Sequence, residues 1–347
     1  MLDGVERRAC GQADGLADGR ADGMSRRGVL GAALAGIAAA SGMAGGAAAS
    51  VAGATSSGRA GPKRSLRLVH MTDMHIQPEL AAGQGVVACL KHIQAMADKP
   101  ELILTGGDTV MDSFEQDRGR TAALWDLWKS VVKAEAPAPM LSALGNHDHW
   151  GWNKAKSKTK GDEPGWGKAW ACENFGREKA YASVDRGGWR VIVLDSVRMD
   201  KDDPAGYEAF LDDEQYSWLE GELNGAMGRP VLLLSHVPLL SVTPMDGLKP
   251  NANGNREILG GKMHTDFWKL NLLFQKYPNV KASVSGHIHL VDRCEFNGVK
   301  YFCNGAVSGA WWKGDHKTCK PGYAVIDLFE DGSISNEYVN YGWVAKA

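Results

Sequence analysis

The sequence predicts a layered α/β fold, and three observations carry that prediction. Apolar runs of strand length alternate with stretches of helical spacing through most of the 347 residues. The last part of the chain changes to apolar runs joined by tight turns, which reads as an antiparallel ending. Most of the alternating runs stop in a short cluster of His, Asp or Asn, which is where an open α/β sheet carries its ligands.

The elements follow in order. Residues 65–71, SLRLVHM, form a strand. Residues 84–98 form an amphipathic helix with Val87, Leu90, Ile93 and Ala97 on one face. A strand is expected at 101–107, a helix at 120–134, and strands at 139–146 and 189–196. A helix at 212–223 precedes a strand at 230–236. A helix at 265–277 precedes the strand that opens SVSGHIHLVD, residues 283–292. Asn297-Gly298 and Asp331-Gly332 are the tight turns of the closing hairpins.

Composition excludes several classes of protein. Net charge is −2 with acids and bases interspersed, and no basic stripe marks a nucleic-acid surface. The N-terminal stretch SRRGVLGAALAGIAAASGMAGGAAAS is similar to a twin-arginine export signal, with Arg26 and Arg27 ahead of an Ala/Gly/Leu run. Val29 to Ala40 is too short and too rich in Ala and Gly to span a membrane, so no transmembrane anchor is expected in the mature form. Residues 1–54 are expected to be a leader cleaved after Ala49 or Ala54, with Met24 as the natural start, and 64–347 to be the folded domain. The implied partner is the twin-arginine (Tat) export machinery and the implied location periplasmic or secreted. Five cysteines remain beyond the leader, poor support for a disulfide framework. Cys294 and Cys303 flank the Asn297-Gly298 turn diagonally rather than opposite one another, so buried thiols are expected.

The residues at the strand ends carry the chemistry. They are Asp73 and His75, then Asp108, then Asn146, His147, Asp148 and His149, then His236, then His287 and His289. Solvated loops would also carry Ser, Lys and Glu. Here imidazole, carboxylate and carboxamide recur, a donor set suited to zinc, iron, manganese or nickel. Seven or eight donors exceed the needs of one ion, so two ions sharing a carboxylate are implied, an arrangement that serves displacement at phosphorus.

In order, Asp-x-His, Gly-Asp, Gly-Asn-His-Asp, a lone His and Gly-His-x-His resemble the calcineurin-like metallophosphoesterase superfamily from about Leu66 to the C-terminus. FLDDEQYSWLEGEL is similar to the Gln-x-x-Trp-Leu helix of its bacterial cyclic-nucleotide-phosphodiesterase-like branch. The resemblance implies an α/β/β/α sandwich, with two mixed β-sheets flanked by helices and a dinuclear site at the strand C-terminal ends. It implies that Asp73, His75 and His289 hold one ion, that Asn146, His236 and His287 hold the other, and that Asp108 bridges them. The ions would be two divalent or trivalent transition metals, Fe, Mn or Zn, with a bridging hydroxide as nucleophile and His147 as general acid. Many relatives orient that His with an Asp three residues after the bridging Asp. Met111 stands there in this chain, leaving Asp112 to take the part through a shifted turn or the His to be oriented otherwise. Met111 also argues against the purple acid phosphatase branch, which has a Tyr ligand at that place.

The reaction implied is hydrolysis of a small-molecule phosphate ester or phosphodiester, with the phosphodiesterase preferred. The alternatives are a phosphomonoesterase of the same fold and a non-catalytic scaffold. The complete ligand set argues against the scaffold. Around the site, His149, Trp311 and Trp312 are candidates to touch substrate. Trp311 and Trp312 could equally pack against the Trp150/Trp152 loop. Asp195 is expected to support a loop rather than bind metal, His70 to lie in the core, and His264 and His316 to lie on the surface. The Trp- and Lys-rich segment 150–180 is expected to form part of the rim or cap.

Overall fold

The computed structural model describes residues 61–203 and 205–346; the expected leader, 1–54, lies outside the described residues. With strands and helices numbered along the chain, one sheet contains β1 (Arg64–Met71), β2 (Leu102–Thr105), β3 (Met140–Ser142), β12 (Gly322–Phe329) and β13 (Ile334–Asn340), in the order β13-β12-β1-β2-β3. The three strands β1, β2 and β3 are parallel, and β12 and β13 add an antiparallel edge. The other sheet contains β4 (Ala182–Arg186), β5 (Trp189–Val193), β8 (Val231–Leu234), β9 (Val280–Ser285), β10 (Asp292–Phe296) and β11 (Val299–Cys303), in the order β10-β11-β9-β8-β5-β4. Here β5, β8, β9 and β11 are parallel, and the two edges are antiparallel. A small pair, β6 (Val197–Met199) and β7 (Tyr207–Ala209), stands apart.

Period-two patterning builds the layers. Leu66 and Leu68 of β1, with Leu102 and Leu104 of β2, face Val191, Val193, Leu232, Leu234, Ala282 and Val284 of the other sheet. The alternate residues Val69, Met71 and Ile103 pack outward under α1 (Ala82–Gln94) and α2 (Arg118–Glu135). Ile192, Leu194, Val231 and Leu233 pack under α5 (Asp213–Gly225) and α6 (Phe267–Lys276). The four layers are helix, sheet, sheet and helix, as expected. Side chains of Asp117 and Asp212 cap α2 and α5 by accepting from Arg120 and Gln215 backbone N–H at 2.9 and 2.8 Å, caps worth about 1 kcal/mol each. No described helix is long and apolar enough to cross a membrane.

The boundaries shift where the site begins. The strands expected at 101–107 and 139–146 stop at Thr105 and Ser142, because the chain must leave the ladder to present its donors. The first helix buries Val86 rather than Val87 and stops at Gln94, short of Ala97. The five cysteines beyond the leader are free thiols, all buried except the half-buried Cys294. Cys294 pairs with Tyr301, and Cys303 with Asp292, the diagonal arrangement the turn implied.

Candidate metal centre

The parallel strands β1, β2, β3, β8 and β9 deliver their C-terminal ends to one edge of the sandwich. Five of the delivered residues leave in the left-handed region: Asp73 (φ 54°), His75 (φ 43°), Asp108 (φ 49°), His287 (φ 69°) and His289 (φ 58°). That conformation is costly for residues other than glycine and clusters where function over-determines it. The motif glycines have a packing reason. A Cβ on Gly286 would overlap Thr72 Oγ1 and Asp73 Oδ2, and one on Gly145 would overlap Asp108.

The donors converge in two overlapping sets. In the first, His75 Nε2 lies 3.1 Å from His289 Nε2 and 3.7 Å from Asp108 Oδ2, and His289 Nε2 lies 3.4 Å from Asp73 Oδ1. In the second, His236 Nε2 lies 3.4 Å from Asp108 Oδ2, 3.1 Å from Asn146 Oδ1 and 3.1 Å from His287 Nδ1. Asp108 Oδ2 faces both sets, while its Oδ1 accepts the His147 backbone N–H at 2.8 Å.

Contacts behind the donors fix their orientation. His236 Nδ1 donates to Gly106 O at 2.8 Å and His289 Nδ1 to Gly309 O at 2.6 Å, which leaves each Nε2 a lone pair turned into the cluster. The Asp73 carboxylate accepts from Thr72 Oγ1 at 2.6 Å and from His287 N–H at 2.9 Å, tying the end of β1 to the end of β9. Asp148 points away from the cluster and accepts from the N–H groups of Thr109, Val110 and Gly145 at 2.9, 3.2 and 2.9 Å. An unmade bond at such a buried donor costs about 1–3 kcal/mol, so this one carboxylate locks two ligand loops together.

The donor set of this cluster suits a cation. Imidazole nitrogens of His75 and His289, and of His236 and His287, face one another at 3.1 Å, and Asn146 Oδ1 faces His236 Nε2 at the same distance. Burial drives His75 down to about 3 and His287 well below the usual imidazole range, so both are neutral donors. Burial also opposes charge on His236, but Asp108 and Asp73 outweigh it and lift its pKa to about 9. Without metal the site would hold a proton beside Asp108; a metal ion answers the same demand. His and Asp donors at these separations fit two transition ions sharing Asp108.

His147 stands above the first set, its ring centroid 4.8 Å from that of His75 and edge-on to it. Its Nδ1 is 3.9 Å from Asp112 Oδ1, longer than a hydrogen bond. Asp112 is the carboxylate nearest this His, but it does not hydrogen-bond the ring, whose Nδ1 has no partner among the described residues. Burial raises the pKa of Asp112, while His147 works in the opposite direction.

A cavity of about 440 Å³ opens over the cluster. Its floor includes His75, Asp108, Asn146, His147, His287 and His289. Its walls include Tyr207, Pro244, Leu248, Leu259, Leu290 and Trp311, and Asp246, Lys262, His316 and Lys317 reach its rim. Trp311 stacks on His289 with centroids 4.5 Å apart.

Several expectations are corrected here. Trp312 does not face the cavity; it is fully buried, donates Nε1–H to His75 O at 2.9 Å and packs on Trp343. His149 does not reach it either, because it is buried against Trp152 at 4.2 Å. His264 is not a surface residue but is buried and bonded to Asp266 at 2.9 Å. His316 is half-buried at the cavity wall, 5.6 Å from Trp311. Segment 150–180 does not cap this cavity. Its aromatic residues pack locally, with Arg118 over Trp150 and Trp170, and Lys154 over Trp166. The walls come instead from residues within 243–262 and 311–317, with Tyr207 and Leu290. The signal for the first of these was available: a long connection rich in Gly, Asn and Pro directly after His236, with no helical or strand period of its own. Asp195 pairs with Lys168 and Arg198, both at 2.7 Å, and Gln215 of the Gln-x-x-Trp-Leu helix bonds both its N–H and its C=O. His70 is core, bonded to Asn304 at 2.9 Å.

Comparison with known proteins gives one consistent assignment. A calcineurin-like phosphoesterase family profile matches residues 66–291. A 3',5'-cyclic-nucleotide phosphodiesterase from Nostoc sp. strain PCC 7120 is 27% identical over 284 residues, covering 78% of this chain and 91% of that protein. A probable glycerophosphodiester phosphodiesterase from Arcobacter nitrofigilis is 25% identical over 241 residues, 67% of this chain and 75% of that one. Among solved structures, a dimetal phosphatase from Danio rerio superposes with a TM-score of 0.56 at 12% identity, over 81% of this chain and 98% of that one, a likeness of fold. The profile spans every donor of the cluster, and the fold places those donors at one sheet edge: the chain belongs to the calcineurin-like phosphoesterase family of metal-dependent phosphoric ester hydrolases.

Proposed function

We propose that this protein is an exported dinuclear-metal phosphodiesterase acting on a small-molecule diester. The observation that carries the reading is the cavity. At about 440 Å³ with apolar walls, it is far larger than a phosphoryl group needs and leaves room for a second ester substituent beside Trp311. The names of the two sequence relatives point the same way.

Asp73, His75 and His289 would hold one ion and Asn146, His236 and His287 the other, with Asp108 common to both. The ions, drawn from iron, manganese and zinc, would supply Lewis acidity at phosphorus and would lower the pKa of water at the site. The chain's own residues do the rest. Gly106 O and Gly309 O hold His236 and His289 in their donor orientation. Asp112 biases the His147 ring, and His147 protonates the departing alkoxide. Trp311 offers a flat apolar face to the ester substituent. The test is metal analysis of the purified protein, then a panel of mono-, di- and cyclic phosphate esters. Two transition ions per chain and a preference for diesters are expected; a monoester preference, or activity after thorough chelation, would overturn the reading.

The location is part of the same proposal: residues 1–54 act as a twin-arginine leader for a folded domain at 64–347, destined for the periplasm or beyond. Donors gathered from five strand ends exist only in the folded chain, so metal affinity is coupled to folding. Export after folding lets the cell load the metal before the protein meets an exterior where affinity order favours copper. Replacing Arg26 and Arg27 together by lysine should leave active, metal-loaded enzyme in the cytoplasm. Normal export of that variant, read by fractionation, would remove the leader from the proposal.

A further inference from the structure

The six-stranded sheet ends at β10, and among the described residues no strand pairs with its outer edge. The hairpin to β11 closes with Phe296 opposite Val299 across Asn297-Gly298, both turn residues having positive φ. In such a two-residue hairpin the closing pair is hydrogen-bonded and the bonding alternates from there. Asp292, Cys294 and Phe296 therefore bond inward to β11. The N–H and C=O groups of Arg293 and Glu295 point outward.

That edge is short and charged, and residues 241–243 bond the Asp292 carboxylate at its start, but two of the usual protections are missing. It has no proline or bulge, and its outward-bonding residues carry one positive and one negative charge. Arg293, Glu295 and Phe296 are exposed. Beside the edge, on the face that α6 covers, Trp268 is 61% exposed, Leu272 53% and Phe296 36%, and the Trp268 and Phe296 rings lie 6.3 Å apart. Clustered exposed apolar side chains beside an open strand mark an interaction surface.

We propose that this surface binds a second copy of the chain, with β10 pairing antiparallel to its counterpart about a twofold axis through Cys294. Charge selects the register. An axis through Arg293 would set arginine against arginine, and one through Glu295 would set glutamate against glutamate. Only the axis through Cys294 sets each Arg293 against a Glu295, on one face of the sheet. The same register satisfies the backbone, because the outward N–H and C=O groups of Arg293 then meet those of the other copy's Glu295. The two six-stranded sheets run on as one, and the Trp268, Leu272 and Phe296 clusters of the two copies flank the axis on the other face. The two Cys294 residues fall in a non-hydrogen-bonded pair, with Cα atoms about 4.5 Å apart, inside the range a disulfide can bridge. Cys294 is also the one cysteine beyond the leader that is not fully buried.

Sedimentation velocity on the purified full chain tests this. The wild type is expected to sediment as a dimer at micromolar concentration under reducing conditions. Glu295→Pro removes an outward N–H together with the Glu295 carboxylate, keeps the ladder to β11, and should give an active monomer. Arg293→Glu and Glu295→Arg each put like charges opposite one another twice over and should weaken dimerisation by about tenfold. The double swap should restore it. With oxidised glutathione as oxidant, each cross-link consumes one glutathione disulfide and releases two glutathione thiols. A dimer band should then form on a non-reducing gel in the wild type and be absent from Cys294→Ser. A wild type that stays monomeric, or a dimer indifferent to Glu295→Pro and to the single swaps, overturns the proposal. So does a double swap that fails to restore dimerisation while thermal melting shows it folded.

Discussion

Asp108→Asn is expected to lower turnover by about 10³-fold, equivalent to several kcal/mol of lost charge stabilisation at phosphorus, and to weaken metal binding at both positions. The geometry accounts for the size of the effect. Asp108 Oδ2 faces His75 Nε2 at 3.7 Å and His236 Nε2 at 3.4 Å, so one oxygen serves both donor sets. Its Oδ1 is already committed to the His147 N–H. An asparagine that kept its carbonyl oxygen on that N–H would turn an NH₂ donor toward both cations. Turned the other way, it would set two N–H groups against each other and still offer a neutral oxygen. Neither rotamer supplies a negative bridge. Metal analysis after dialysis against a weak chelator should show loss of both ions, not one. Retention of both ions with an unchanged rate would mean that Asp108 is not the shared ligand. Loss of one ion alone would place the bridge elsewhere.

The donors were legible in the sequence because their chemistry is restricted and their place is fixed. Asp73, Asp108, Asn146, His236 and His287 each follow the end of a parallel strand within a few residues. The structure adds why glycines stand at two of these places: a Cβ at Gly145 or Gly286 would overlap the donor residues beside it. What was misread depended on which way a side chain turns after the strand. In Gly-Asn-His-Asp-His, Asn146 and His147 face the cavity, while Asp148 turns back to the loop N–H groups and His149 packs on Trp152. No periodicity describes a turn of that kind, so adjacency made His149 a false candidate. Trp311 and Trp312 show the same effect: neighbours in sequence, both at positive φ, one on the cavity wall and one under the ligand loop. His264 was missed for another reason. It is buried with its ring 2.9 Å from Asp266 and 3.4 Å from Ser235, and Ser235 is distant in sequence.

His147→Ala should keep both ions and still lose about 10²–10⁴ in rate on alkyl diesters, the contribution general-acid catalysis makes. The two halves of that expectation separate His147 from the ligands. Its ring stands edge-on over His75 and is half-exposed to the cavity, while the two donor sets close without it through Asp73, His75, His289, Asp108, Asn146, His236 and His287. The leaving group then tells which chemistry was lost. An alkoxide needs a proton as it departs and a nitrophenolate does not, so the loss should shrink sharply for nitrophenyl diesters. Equal losses for the two ester classes would instead assign His147 to stabilising charge on the phosphoryl oxygens. Asp112 enters through the same residue. At 3.9 Å from Nδ1 it can bias the ring's orientation without bonding it in this structure. Asp112→Asn should therefore cost less than His147→Ala, and should add almost nothing when His147 is already alanine. Additive losses would show that Asp112 acts on the substrate by a route of its own.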